Sequence, residues 1–180
     1  MGFLRALSPL GFSLLLGAST SDASILDDTC KSLAANHTAI DYSYCIRFFQ
    51  DSKESATADM HGLAAIAVKI IGATATNTTK RIDALRLSEK DEKMQECLRI
   101  CSDLYAYMLA LLENEAKDVA LGEGSQDALP PMPDVARYVA DACEDRFHGQ
   151  KETLPLVAEY AEFRKSASIA LALIEAISPP

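Results

Sequence analysis

Between Thr57 and Leu87 the residues Ala64, Val68, Ile71, Ala75, Thr78, Ile82 and Leu85 recur in steps of four and three. That rhythm follows the 3.6-residue turn of an α-helix and puts all seven side chains on one face, which needs a partner to cover it. The same rhythm returns twice. Met94, Leu98, Cys101, Tyr105, Met108 and Leu112 mark a helix from about Ser88 to Leu121, and Leu156, Tyr160, Phe163, Ala167, Ala170, Ile174 and Ile177 mark another near the C-terminus. A shorter helix, about Asp134 to Phe147, is expected to bury Val135, Val139, Ala142 and Cys143. Alternating Val/Ile/Thr-rich runs, the mark of strands, are nearly absent. Four helices with one apolar seam each cover one another as an all-α, up-and-down four-helix bundle.

The breaks between seams set the boundaries. Ser88, followed three residues later by Asp91, is read as the N-cap of the second long helix. The longest break, GEGSQDALPPMP at Gly122 to Pro133, stops one helix with Gly and Pro, and Pro133 can start the next. Ahead of the bundle lies DDTCKSLAANHTAIDYSYCIRFFQDSKE, read as two or three short helices closed by Cys30 and Cys45. Closing a loop of that length contributes roughly 3 kcal/mol in the chain-entropy picture, support that a hairpin too small for its own core needs. Nothing resembling a linker or repeat divides the rest. Residues 24–180 are therefore expected as one domain, with a hairpin extension at 24–56 and the bundle at 57–178.

The start of the chain decides how the cysteines are read. Arg5 precedes an apolar run from Leu7 to Gly17, and small residues follow as far as Ala23. This is the pattern of a secretory signal peptide over residues 1–23, with Ala18 a competing cleavage point; the run is too short to span a bilayer. Export as a soluble protein, with no membrane segment after cleavage, is the expectation. With 26 acidic against 17 basic residues the net charge is −9, and the absence of a basic stripe argues against nucleic acid as a partner. An acidic surface favours a basic protein partner instead.

In an oxidising compartment Cys30, Cys45, Cys97, Cys101 and Cys143 are disulfide candidates before they are metal ligands. Cys97 and Cys101 stand one helical turn apart, a poor geometry for bonding each other, so one of the two is expected to reach Cys143. A metal site would need two further ligands facing the pair. His37, His61 and His148 are scattered and fit no metal-ligand spacing, and no nucleophile elbow or phosphate loop is present. These observations disfavour an enzyme. Two sequons, Asn36-His37-Thr38 and Asn77-Thr78-Thr79, are candidates for N-glycosylation; the first lies in a turn, and the second either is poorly accessible within its helix or marks a break there.

Several short stretches together resemble the plant invertase and pectin methylesterase inhibitor family. Thr29-Cys30 followed fifteen residues on by Cys45, the polar run and apolar seam of DSKESATADMHGLAAIAVKI, Cys101-x3-Tyr105 in CSDLY, and Cys143 with its acidic residue and Phe147 in VADACEDRF occur in the family's order. The resemblance implies a helical hairpin packed on the bundle, with disulfides Cys30–Cys45 and Cys101–Cys143, and so leaves Cys97 as the odd thiol. It implies no catalytic residue, metal or cofactor. It implies a secreted inhibitor that docks in a 1:1 complex over the active-site cleft of pectin methylesterase or of acid invertase, in the apoplast or the vacuole. Invertase inhibitors of the family often carry Pro-Lys-Phe before the short cysteine helix; here that connection lacks it, which favours pectin methylesterase. No target-contact residue carries over. A secreted carrier of a small apolar ligand, held between the helices, is the alternative from another class.

Overall fold

The computed structural model describes residues 22–121, 132–150 and 155–177. The expected signal peptide up to Ser21 and the connection from Gly122 to Pro131 lie outside them. The described elements are α1 (Asp22–Asn36), α2 (Tyr42–Phe49), a 3-10 turn (Lys53–Ala56), α3 (Met60–Ser88), α4 (Glu92–Leu121), α5 (Met132–Gln150) and α6 (Val157–Ile177).

Short side chains start the helices where the chain offers orphan amides. The Asp41 carboxylate accepts from the Tyr44 amide at the start of α2, and Asp59 accepts from the Gly62 amide at 2.8 Å at the start of α3. The start of α4 differs from the sequence expectation. Ser88 is the last residue of α3, and its hydroxyl donates back to the Leu85 carbonyl at 3.0 Å. The cap is Asp91, whose carboxylate accepts from the amides of Lys93 and Met94. Both residue types cap helices well; Ser88 is consumed by the turn that precedes it.

The three long seams face inward as their rhythm predicts. Ala64, Val68, Ile71, Ala75, Thr78 and Ile82 of α3, Leu98, Cys101, Tyr105, Met108 and Leu112 of α4, and Leu156 through Ala170 of the last seam are buried at their seam positions. In α5 the register is turned. Ala136, Val139, Ala140, Cys143 and Phe147 are buried, whereas Val135 and Ala142 are only half-buried. The buried set lies on one narrow arc of the helix centred on Cys143 and Phe147, and Val135 and Ala142 fall on its flank. No break occurs at Asn77. α3 runs through it, and the hydroxyls of Thr74, Thr76, Thr78 and Thr79 each donate to the carbonyl four residues back, so the buried Thr78 enters the core with its polar group satisfied.

α3 packs against α4 and α6, and α5 packs against the same two, which closes the four helices into a ring. α1 packs on α2, on the 3-10 turn and on α3. At the centre, the Tyr105 ring lies 5.2 Å from Phe163 and 6.1 Å from Tyr160, and all three are fully buried. The architecture is the expected all-helical bundle with a hairpin at its N-terminus.

Candidate docking surface

Two disulfides set the geometry of the surface. Cys30–Cys45 joins α1 to α2 with a Cα separation of 5.6 Å, and Cys101–Cys143 joins α4 to α5 at 5.1 Å. The Tyr160 hydroxyl, on α6, donates to Cys143 Sγ at 2.9 Å, so three helices meet at the second bridge. Cys97 stands outside both bridges. It is buried, and its thiol donates to the Arg146 carbonyl at 3.7 Å, toward α5. Among the described residues no three His, Cys, Asp or Glu side chains gather as a metal site, and no helix is long and apolar enough to cross a membrane.

The second bridge also sets the register of the α4–α5 face. Cys101 meets Cys143, and Cys97, one turn earlier, meets Arg146, one turn later; the two helices are therefore antiparallel. Tyr107 follows Cys101 by six residues and Tyr138 precedes Cys143 by five. At 1.5 Å per residue the two tyrosines stand about 9 and 7.5 Å from the bridge, on the same side of it. Ile100 shares a hollow of about 260 Å³ with Arg146 and Gln150 of α5, and Tyr107 follows Ile100 by two turns, so Tyr107 belongs to the same α5-facing flank. Tyr107 is 60% exposed and Tyr138 67%.

Charge on this face is partly internal. The Arg99 guanidinium donates to Glu96 and to Asp103, both on α4. Arg164 of α6 donates to Asp141 at 2.7 Å and to Glu144, both on α5. In each case one cation serves two carboxylates, while Lys93 of α4 and Arg146 of α5 add positive charge beside Glu92 and Glu96. The hydrogen bond from Arg164, followed by its charge and by His148, holds the Glu144 carboxyl below its ordinary range. A carboxyl depressed in the folded state contributes stability that is present above its unfolded pKa and lost as pH falls through the folded one. A Glu144→Gln variant is thus expected to be less stable than the parent near neutrality. The two should converge as pH falls below about 4. Urea unfolding at a series of pH values checks this, and a difference independent of pH would count against the pairing.

The hairpin is seated on the outer side of α6. The Tyr44 hydroxyl of α2 donates to Glu162 Oε1 at 2.7 Å and lies 3.2 Å from Ser166 Oγ. Its ring is flanked by Arg47 at 5.9 Å and Lys165 at 5.6 Å, a cation–π arrangement from both helices. Near its turn, His37 and Ile40 line a hollow of about 180 Å³ with Arg137 of α5 and Leu171 and Glu175 of α6.

The structure distributes the sequence-derived residues over different regions. Asn36 ends α1 and is exposed, with its Nδ2 donating to the Ser32 carbonyl. Asn77 is exposed midway along α3. His37 is half-buried, His61 exposed, and His148 lies 3.6 Å from Glu144; the three do not converge. Sequence reasoning overlooked Tyr107, Tyr138 and the Arg164 cluster. Tyr107 and Tyr138 carried a usable signal, because each breaks the polar outer face of its helix at a set distance from a cysteine.

The bundle, its hairpin and both bridges can be compared with known proteins. The profile of the family described as plant invertase/pectin methylesterase inhibitor matches residues 24–173. The chain is 30% identical to a cell wall/vacuolar inhibitor of fructosidase 2 from Arabidopsis thaliana, over 71% of each chain. It is 31% identical to a pectinesterase inhibitor from Actinidia deliciosa, over 59% of this chain and 57% of that one. The fold is similar to the crystal structure of a mutant form of a pectin methylesterase inhibitor from Arabidopsis, with a TM-score of 0.67 and 20% identity over 85% of this chain and 99% of that one. A profile that spans nearly the whole bundle and the hairpin, on a fold of the same kind, leaves one conclusion: the chain belongs to the plant invertase/pectin methylesterase inhibitor family.

Proposed function

We propose that the chain is a secreted inhibitor of pectin methylesterase, which it blocks by covering the enzyme's cleft in a 1:1 complex rather than by any chemistry of its own. The single observation that carries the choice of target is the connection Gly122–Pro133, which reads GEGSQDALPPMP and has no Pro-Lys-Phe. Rigidity supports the mode of action. A helix face tied by Cys101–Cys143 has little ordering entropy left to lose on binding, so a modest contact area gives useful affinity. Inhibition of acid invertase is the second reading, favoured by the relative named for fructosidase inhibition. A carrier would need space between the helices, and Tyr105, Tyr160 and Phe163 fill it.

In this reading residues 1–23 are a signal peptide, and the mature chain works in the apoplast or, as the alternative, the vacuole. Cleavage after Ala23 removes two residues from α1, which begins at Asp22. Asn36 and Asn77 are the glycan positions, Asn36 the better placed because a turn follows it. The test is to titrate the oxidised mature protein into plant pectin methylesterase and, separately, acid invertase. Stoichiometric loss of methylesterase activity is expected. Loss of invertase activity alone would move the target to the second reading, and no loss with several sources of either enzyme would overturn both.

A further inference from the structure

Tyr107 and Tyr138 have no structural reason to be tyrosine. Each is more than half exposed, so a polar residue would cost the fold nothing. They differ in this from Tyr105 and Tyr160, which fill the core, and from Tyr44, whose hydroxyl and ring both have partners. The exposed Tyr42 differs too, because its hydroxyl donates to Asp27, and the other exposed apolar side chains, Leu87 and Val157, are single residues at helix ends. The two tyrosines instead stand at one level on adjacent helices whose register a disulfide holds. Helices in contact lie about 8–10 Å apart, so neighbouring helices each present one exposed ring at nearly the same height. Neither sequon lies on α4 or α5, which leaves this face clear of glycans.

A tyrosine is the side chain closest in form to a pyranose: a six-membered ring with two apolar faces and hydroxyl at the edge. A cleft that binds a row of sugar rings therefore has the width, the aromatic or apolar walls and the polar groups to accept two of them. Carboxylates flank the pair, with Asp103 toward the bridge on α4 and Asp141 on α5, each already sharing its cation with a second acid. The complement is a sugar cleft with basic groups opposite Asp103 and Asp141, and Arg137 beside Tyr138 puts one cation of the inhibitor at the edge of the contact.

Resting on the inhibitor reading above, we infer that Tyr107 and Tyr138 are the anchors of the complex and occupy sugar positions in the cleft of the target enzyme. The test compares the parent with Tyr107→Ala/Tyr138→Ala, Tyr107→Phe/Tyr138→Phe and Leu87→Ala, the last an exposed apolar residue in the final turn of α3. Each is assayed against pectin methylesterase and acid invertase, with circular dichroism and thermal unfolding to confirm an unchanged fold. Anchor residues of this kind each account for about a 30-fold or larger loss on truncation. The alanine pair should therefore weaken inhibition at least that much, the phenylalanine pair should retain most of it, and Leu87→Ala should match the parent. Oligosaccharide fragments of the substrate should compete with the parent for the enzyme. A parent that inhibits while the alanine pair inhibits equally well overturns the inference alone, as does inhibition indifferent to the oligosaccharide. A parent that inhibits neither enzyme overturns the inhibitor reading and the inference with it.

Discussion

Replacing Cys101 and Cys143 together by alanine is expected to lower the unfolding free energy by about 4 kcal/mol, because the bridge closes a loop of 42 residues in the unfolded chain. For a domain of this size that corresponds to a fall in Tm of roughly 10 °C. Alanine is the right replacement, since both sites are fully buried and a serine would add an orphaned hydroxyl to the loss. Both positions must change at once. With Cys101 alone removed, Cys97 lies one turn away and faces α5 near Arg146, close enough in sequence and space to capture Cys143 in its place. Thermal unfolding followed by circular dichroism measures the effect. A shift in Tm below about 3 °C would mean that packing, not the bridge, holds α4 against α5. The shorter Cys30–Cys45 loop, with a separation of 15, predicts a smaller contribution from the same argument.

Truncating Phe163 to alanine is expected to cost about 3–5 kcal/mol, the range for removing a fully buried aromatic side chain. Phe163 sits at the meeting point of α4 and α6, with its ring 5.2 Å from Tyr105. The surrounding side chains belong to helices already fixed by a bridge and by their own packing, so the site can collapse only partly and a cavity remains. The midpoint of urea unfolding should fall with little change in slope. A loss below about 1 kcal/mol would show that the centre relaxes freely. Tyr105 marks the limit of the packing argument. Its hydroxyl is buried and has no hydrogen-bond partner among the described residues, and burial, helped by the nearby Tyr160, raises its pKa far above the ordinary phenol value. It stays a neutral phenol at neutral pH and serves as a ring.

Legibility followed the physics of each feature. The seams of α3, α4 and α6 were readable because one buried face imposes a period on the sequence, and that period is local. Asp91 was misread in favour of Ser88 because two good capping residues stood three apart, and only the path of α3 decides which one is free to cap. The arc of α5 was misplaced because small residues tolerate both flank and core: Ala136 and Ala140 went inward, Ala142 did not. Its centre was chosen by what α4 and α6 bring to it, namely Cys101, Tyr105, Tyr160 and Phe163. Nor does any local pattern bring Arg164 to Asp141 and Glu144, which lie 23 and 20 residues earlier on another helix.

The sequence by itself therefore determined the class of fold, the number of bundle helices, the acidic character and the cysteines that separate hairpin from bundle. These depend on periodicity, composition and spacing, which a linear chain carries in full. Only the tertiary structure decided which flank of α5 is buried and at what height Cys101 of α4 meets Cys143 of α5, and hence that Tyr107 and Tyr138 share nearly one level. Such relations depend on the relative rotation and height of two helices. Packing sets both, and a single helix carries no record of either.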